Sequence, residues 1–172
     1  MQAIRFGIIG LGRIGNTHAY HFTNEPSKYN LVAVCGRDLE RTETFRKKYD
    51  CAGYSSYADF LSHSEMELVI ICTRSLDHAD DAVQALAAGK YVLLEKPIAV
   101  TKADRLKLED ADKAYPGKLF FLHNHRFEPA FESICAVIAS GVLGNIQVAK
   151  LCRHHTFRRR ADWQMLLDCG GG

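Results

Sequence analysis

The sequence predicts an α/β fold in which helices cover both faces of a parallel β-sheet. Short apolar runs rich in Ile, Val and Leu alternate with stretches of helical period along most of the chain. The apolar runs are nearly uninterrupted, as in strands buried on both faces, and the alternation is typical of right-handed βαβ units. A doubly wound parallel sheet is therefore the predicted architecture of residues 1–122.

The predicted elements alternate strictly along this part of the chain. The strands are predicted at residues 3–9, 31–35, 52–54, 67–73, 91–95 and 118–122. The helices are predicted at residues 14–22, 38–49, 57–61, 77–89 and 101–115. Pro26 follows the first helix and Gly89 ends the fourth, as expected of residues that terminate helices. Each strand thus has a helical crossover to the next, which a parallel pair requires.

The pattern changes after residue 122. A helix is predicted over 130–140, a turn over 141–144, and one long strand over 146–157. A long strand without a following helix does not continue the βαβ pattern. We therefore expect residues 123–172 to be the beginning of a second domain, which is incomplete in this chain.

Composition and charge exclude several classes of protein. Apolar residues make up 47% of the 172 residues and the formal net charge is +2, which is typical of a globular protein and gives no sign of a nucleic-acid partner. No apolar run is long enough to span a membrane, and the N-terminus lacks the pattern of a secretory signal. The six cysteines are scattered. We expect them to be reduced thiols of a cytoplasmic protein.

Two further patterns do not predict a site. The segment 152–160, CRHHTFRRR, is basic, but no aromatic interleaving and no second basic face accompany it, so it does not predict nucleic-acid binding. His123 with His125, and His154 with His155, have no cysteine or carboxylate at ligand spacing. These pairs therefore do not predict a metal site.

The first strand leads directly into the loop GLGRIG. Its G-x-G-x-x-G spacing between a strand and a helix is the fingerprint of a dinucleotide-binding Rossmann fold, with a ligand-free strand–turn–helix as the alternative. Gly10 permits the tight turn, Gly12 lets the backbone approach a pyrophosphate, and Gly15 lets the helix pack against the strand. The helix opens with Arg13 and Ile14, whose backbone amides would face the anion.

The end of the second strand bears on the choice of nucleotide. The fingerprint expects an acidic residue there, about twenty residues after the last glycine, to bind the ribose hydroxyls. This chain has Gly36 at that place, followed by Arg37, and Arg41 lies one helical turn on. Because guanidinium groups bind phosphate well, we expect NADP rather than NAD. Asp38, two residues late, is the alternative acid, and it would favour NAD.

Four segments together resemble the Gfo/Idh/MocA family of dehydrogenases, named for glucose–fructose oxidoreductase and inositol dehydrogenase. They are GIIGLGRIGNTHA, IICTRSLDHADDAVQALAAGKYV, VLLEKPIAV and HNHRFEPAF. The resemblance covers essentially the whole chain. It implies an NAD(P)-dependent oxidoreductase that transfers a hydride between nicotinamide and a hydroxyl-bearing carbon of a sugar, inositol or related polyol. It also implies that residues 123–172 begin an α+β domain for substrate binding and oligomerisation, and that the protein is a homo-oligomer when full length.

The E-K-P motif carries the implied chemistry. By match with the family, Lys96 is the catalytic residue. Its ammonium, at the carboxyl end of a strand, can bind the substrate hydroxyl and help to transfer its proton. The resemblance implies that Glu95 helps to position the cofactor or Lys96, and that the bond between Lys96 and Pro97 is cis, which is otherwise rare.

The loop after the fourth strand belongs to the same implied cofactor site. Cys72 and Thr73 match the family and would lie beside the cofactor. His78 matches the family histidine, and the alternative is a histidine that only packs. Arg74 and Ser75 replace the family's usual proline and asparagine, so the shape of this loop is expected to differ.

Two further expectations concern the second half of the chain. Asn124 and Arg126 match a family segment that borders the active site, with interdomain hydrogen bonding as the alternative. In the family, a segment like residues 161–172 precedes the histidine usually taken as the acid/base. We therefore expect this chain to be nearly inactive by itself. The rival hypothesis is a non-catalytic NAD(P)-binding redox sensor or scaffold, and the presence of Lys96 favours the enzyme.

Overall fold

A six-stranded parallel sheet runs through the computed structural model, which describes residues 2–152. The strands are β1 (Ile4–Ile9), β2 (Tyr29–Cys35), β3 (Ala52–Tyr54), β4 (Leu68–Ile71), β5 (Tyr91–Leu94) and β6 (Leu119–Phe121). Their order is β3-β2-β1-β4-β5-β6, and every neighbouring pair is parallel. The strand order reverses between β1 and β4. The predicted doubly wound sheet is thus confirmed, and its switch point lies at the carboxyl ends of these two strands.

Helices connect the strands and cover both faces of the sheet. They are α1 (Arg13–Thr23), α2 (Leu39–Tyr49), α3 (Tyr57–Leu61), α4 (His78–Ala87) and α5 (Lys102–Ala114). After β6 the chain forms a 3₁₀ turn (Asn124–Phe127) and then α6 (Pro129–Ala139). Each of these strands and helices begins and ends within two residues of its predicted range. None of the helices described is long and apolar enough to cross a membrane.

The helix N-termini differ in how their free amides are satisfied. The side chains of Asp38 and Ser56 cap α2 and α3, and Thr101 forms a capping box with Asp104 at the start of α5. In contrast, α1 begins after Gly12, with no side-chain cap and no acidic residue in its first turn. The first amides of α1 therefore remain available to an anion at the switch point.

The core has one layer on each face of the sheet. Successive residues of β4 alternate between them: Val69 and Ile71 join the layer that contains Phe60, whereas Ile70 joins the layer that contains Phe6. All five side chains are fully buried. Burial of each large apolar side chain contributes about 1.5–3 kcal/mol relative to exposure. This packing fixes the carboxyl ends of the strands, from which the loops of the site extend.

The strand predicted over 146–157 is not present in the part that the structure describes. Residues 146–152 are not in a strand, and residues 153–157 lie outside the described residues. A strand is stabilised by hydrogen bonds to a neighbouring strand. The described chain places no such partner beside residues 146–152. The alternating apolar residues Ile146 and Val148 therefore do not suffice to form a strand. Both side chains are exposed.

Candidate functional site

A cleft of about 750 Å³ opens where the glycine loop meets the carboxyl ends of β1, β2 and β4. Its walls come from the loops that follow these strands, from the segment after β3, and from the start of α4. The structure brings together seven of the predicted cofactor-binding residues in its lining: Gly10, Gly12, Gly36, Arg37, Arg41, Cys72 and Thr73. The cleft therefore lies at the switch point, where dinucleotides bind in doubly wound sheets.

The three loop glycines differ in what surrounds them. Gly10 has φ +92°, and a Cβ there would lie 2.4 Å from the carbonyl carbon and oxygen of Cys72. A Cβ on Gly15 would lie 2.2 Å from the carbonyl oxygen of Gly10. No atom lies within 4 Å of a Cβ built on Gly12, which lines the cleft. Gly10 and Gly15 are thus required by the fold itself, whereas Gly12 keeps space open for a ligand.

The first turn of α1 follows Gly12 at the edge of the cleft. Arg13 is exposed and Ile14 is half-buried, and neither side chain lines the cleft. Their predicted contribution would be made through the backbone amides, which no side chain caps. An anion in the cleft would meet these amides and the positive end of the helix dipole.

The end of β2 carries two guanidinium groups and no carboxylate at the predicted acidic position. A Cβ on Gly36 would lie 2.9 Å from Oγ1 of Thr42, so a side chain there would displace its neighbours. Arg37 and Arg41 both line the cleft. Asp38 also lines it, but its Oδ1 accepts the backbone N–H of Arg41 at 3.0 Å as the N-cap of α2. Nε of Arg41 lies 3.8 Å from Oδ2 of Asp38, whereas Arg37 has no ion pair among the described residues and suits a phosphate.

A buried hydrogen-bonded pair of side chains joins α1 to the E-K-P segment. His18 and Glu95 are 9% and 8% exposed, and Nε2 of His18 donates to Oε1 of Glu95 at 2.8 Å. The other carboxylate oxygen accepts the backbone N–H of Lys96 at 2.9 Å. Burial by itself would raise the pKa of Glu95. The hydrogen bonds from His18 and Lys96, and their charges, outweigh burial and lower it.

We expect Glu95→Gln to lower the free energy of unfolding by about 1–3 kcal/mol at neutral pH, because hydrogen bonds to an ionised group are lost. A carboxyl group whose pKa is lower in the folded state stabilises the fold above its unfolded pKa. The difference in free energy of unfolding between wild type and Glu95→Gln should thus be complete above pH 4.5. It should disappear as the pH falls through the lowered pKa of Glu95. Urea unfolding across this range measures it.

The exposed carboxylate of Glu65 provides the matched control. Glu65→Gln should leave the stability close to wild type throughout the range. A Glu95→Gln deficit that persisted unchanged in acid would show that the deficit comes from packing and not from the ionised carboxylate.

The loops after β4 and β5 are tied together by His78. Its ring is 2% exposed and does not line the cleft. Its Nδ1 lies 2.7 Å from the carbonyl oxygen of Pro97, and its Nε2 lies 3.2 Å from that of Thr73. A neutral ring donates from one nitrogen only, and the shorter distance favours Pro97 as the acceptor. His78 therefore positions the segment that carries Lys96.

The remaining predicted residues lie outside the cleft, on loops after β5 and β6. Lys96 and Pro97 are exposed, and the peptide bond between them is cis, as the resemblance implied. Asn124 and Arg126 are exposed in the 3₁₀ turn after β6. Because the sheet is parallel, all four follow the same edge as the glycine loop. The candidate site thus has two parts, the cleft and this flank beside β5 and β6.

The sequence did not single out several residues of the site. His18 was missed, although a buried glutamate requires a partner and His18 follows the last loop glycine by one helical turn. Tyr57 and Asp81 line the cleft and were also missed. The signal for Asp81 was available: it stands between Ala79 and Ala82, two buried positions of α4.

The thiols near the cleft are not activated. Burial raises the pKa of Cys35 to about 11, and Asp81 acts in the same direction. Burial also raises the pKa of Cys72, with a further contribution from Glu95. Both remain protonated at neutral pH, so neither is a nucleophile. Within residues 2–152, no group of three His, Cys, Asp or Glu side chains is placed to hold a metal ion.

The sheet order, the glycine loop and the cleft define a dinucleotide-binding Rossmann domain. The chain belongs to the Gfo/Idh/MocA family, which is described as an oxidoreductase family with an NAD-binding Rossmann fold and whose sequence profile matches residues 4–120. The family that the motifs predicted is therefore confirmed.

Two curated relatives match much of the chain. The inositol 2-dehydrogenase of Salmonella typhimurium is 33% identical over 146 residues, which cover 83% of this chain and 44% of that protein. The trans-1,2-dihydrobenzene-1,2-diol dehydrogenase of Bos taurus is 34% identical over 178 residues, which cover 99% of this chain and 52% of that protein. The chain spans about half the length of these relatives.

Solved structures show the same fold. The WlbA dehydrogenase of Bordetella pertussis, crystallised with NADH and UDP-GlcNAcA, has a TM-score of 0.78 at 25% identity over 83% of this chain and 43% of that chain. A protein of Desulfitobacterium hafniense, assigned as an NADPH-dependent oxidoreductase, has a TM-score of 0.78 at 28% identity over 84% of this chain and 41% of that chain.

Proposed function

We propose that this protein is an NADP(H)-dependent oxidoreductase that acts on a hydroxyl-bearing carbon of a sugar, inositol or related polyol. The observation that carries the proposal is the cleft at the switch point, which combines an open glycine loop with Arg37 after β2 and Arg41 in the first turn of α2. The names of the relatives support the substrate class, since inositol and the dihydrobenzenediol both carry neighbouring hydroxyl groups on a six-membered ring.

The residues of the cleft fit the parts of the nucleotide. Gly12 leaves space for the pyrophosphate, and the uncapped amides of α1 would bind it. Arg37 and Arg41 would bind a 2′-phosphate. The nicotinamide would then lie towards the flank beside β5 and β6, where it would accept or donate the hydride.

Lys96 is the proposed catalytic residue. Its ammonium would bind the substrate hydroxyl and help to move the proton as the hydride is transferred. Two contacts position its backbone: Glu95 accepts the N–H of Lys96, and His78 lies within hydrogen-bond distance of the carbonyl oxygen of Pro97. Glu95, His78 and Pro97 are therefore proposed as positioning residues. Asn124 and Arg126 are proposed to border the substrate on the same flank.

We expect Arg37→Ala to weaken the binding of NADPH by about 10- to 100-fold and to leave the binding of NADH within about threefold, because only NADPH carries the 2′-phosphate. Arg37 suits this test because no described side chain forms an ion pair with it, so its removal strips no partner from the fold. Titration of protein fluorescence with each nucleotide measures both affinities.

The exposed lysine Lys47 on α2, which does not line the cleft, provides the control. Lys47→Ala should leave both affinities close to wild type. Equal losses for NADPH and NADH in Arg37→Ala would show that Arg37 does not bind the 2′-phosphate. A wild-type preference for NADH would favour Asp38 as the residue that binds the ribose, and binding of neither nucleotide would refute the proposed function.

The wider organisation of the protein is also proposed. Residues 1–122 would form the dinucleotide-binding domain, and residues 123–172 would begin the substrate domain. Exposed apolar side chains on α6, among them Ile134, Val137 and Ile138, support further packing of this helix in a larger assembly. We also propose that the full-length protein is a homo-oligomer and that it is located in the cytoplasm.

A further inference from the structure

A carboxylate is built into the wall of the cleft. Asp81 belongs to α4, and it lines the same cleft as Arg37 and Arg41. The role proposed above for the arginines gives it no function. A partly buried carboxylate is costly to keep ionised, and such a group inside a binding cleft indicates a site at which a ligand is recognised.

Two hydrogen bonds hold this part of α4 in place. Thr73 Oγ1 donates to Oδ2 of Asp81 at 2.7 Å. The hydroxyl of Tyr57 donates to the backbone carbonyl oxygen of Asp81, also at 2.7 Å. Tyr57 and Thr73 line the cleft as well. The carboxylate is therefore fixed by the loop after β4 and by the segment after β3 before any ligand arrives.

The carboxylate has unused capacity to accept hydrogen bonds. An ionised carboxylate has about four acceptor positions, and among the described residues Thr73 is its one donor. The nearest arginine in sequence, Arg74, is paired with Asp77. Burial raises the pKa of Asp81, and the neighbouring charges of Asp77 and Asp80 act in the same direction. A ligand with an N–H group would donate the further hydrogen bond that stabilises the ionised carboxylate of Asp81.

The place of Asp81 in the cleft identifies which part of the nucleotide it meets. In this fold the residue at the end of β2 binds the ribose of the adenosine half, so that half lies towards β2 and β3. The cleft contains the end of β2 and the segment after β3, but not Glu95 or Lys96. It is thus the adenosine half of the site, and the donor that this half offers besides its ribose hydroxyls is the 6-amino group of adenine.

We propose that Asp81 determines specificity for the cofactor's base by accepting a hydrogen bond from the 6-amino group of adenine. This inference rests on the proposed function, because it requires a dinucleotide in the cleft. A base with a carbonyl oxygen at the same position, such as hypoxanthine, places oxygen against the carboxylate. That base loses the hydrogen bond, and its oxygen is repelled by the carboxylate of Asp81. The site therefore binds it more weakly than adenine.

The test compares NADPH with its hypoxanthine analogue, in which a carbonyl replaces the 6-amino group and the adjacent N1 carries a hydrogen in place of a lone pair. The wild-type protein should bind NADPH about 10- to 100-fold more tightly, as expected for a hydrogen bond to an ionised group. Asp81→Asn keeps the size of the side chain and an acceptor for Thr73, and its amide can donate to the carbonyl of hypoxanthine. The preference should therefore fall to within about threefold or reverse.

Asp80→Asn is the matched control, because Asp80 precedes Asp81 on α4 but does not line the cleft and pairs with Lys107. It should keep the wild-type preference. Equal affinities in the wild-type protein, or an unchanged preference in Asp81→Asn, would overturn the inference while leaving nucleotide binding intact. If neither nucleotide binds the wild type, the proposed function itself fails. If Asp81→Asn does not fold, the wild-type comparison alone still decides against the inference when the affinities are equal.

Discussion

Replacement of Gly15 by alanine is expected to cost the protein more than about 3 kcal/mol of folding free energy, although it adds a single methyl group. The added carbon would lie 2.2 Å from the carbonyl oxygen of Gly10. That oxygen cannot withdraw easily, because Gly10 itself packs against the backbone of Cys72. Insertion of a methyl group into a packed interior costs about 1–3 kcal/mol, and more where backbone must move. Urea unfolding followed by circular dichroism measures the loss.

Gly12→Ala separates folding from binding in the same loop. Gly12 has extended backbone dihedrals that alanine can adopt, and its Cβ would meet no atom within 4 Å. This variant should unfold at about the wild-type urea concentration but bind NADPH at least about 100-fold more weakly, because the methyl group occupies the approach of the pyrophosphate. A stable Gly15→Ala, or a Gly12→Ala that binds normally, would contradict the division of roles among these glycines.

Replacement of Lys96 by methionine is expected to lower polyol-dependent reduction of NADP⁺ by about 10²–10⁴-fold, the usual contribution of a group that transfers a proton. The affinity for NADPH should stay within about threefold, since Lys96 does not line the cleft that is proposed to bind the adenosine half. Because the relatives are about twice as long as this chain, the assay uses the full reading frame that contains these residues.

Lys102 is an exposed lysine at the start of α5 and provides the control for this experiment. Lys102→Met should retain the wild-type kcat and KM. If Lys96→Met raised KM for the polyol and left kcat unchanged, Lys96 would bind the substrate without taking part in the transfer.

The sequence was sufficient for those features that depend on local pattern. The apolar runs placed the four inner strands, β1, β2, β4 and β5, within two residues, because strands buried on both faces leave an unbroken apolar signal. The glycine spacing located the turn at Gly10 and the close packing at Gly15, because both follow from backbone geometry. Gly36 followed from the spacing that the fingerprint expects at the end of β2, and Thr73 followed from the family resemblance; both line the cleft.

The features that sequence reasoning missed depend on contacts between distant residues. His18 and Glu95 are 77 positions apart, and neither neighbourhood indicates the other. The place of Asp81 between two buried alanines indicates the inner side of α4, but the folded chain is needed to show that this side borders the cleft while Asp80 pairs with Lys107. The strand predicted over 146–157 failed for the opposite reason, since a local pattern indicated pairing for which the described chain supplies no neighbour.

The buried hydrogen bond between His18 and Glu95 limits how this domain can be recombined with others. A designer who transplants the E-K-P segment into another scaffold moves a buried carboxylate whose partner stays behind on α1. The recipient then has to bury an unpaired charge, which is strongly destabilising. Exchange of α1 and the segment after β5 as one module avoids this penalty. Chimeras that keep both from one parent should therefore be recovered as folded proteins more often than those that divide them.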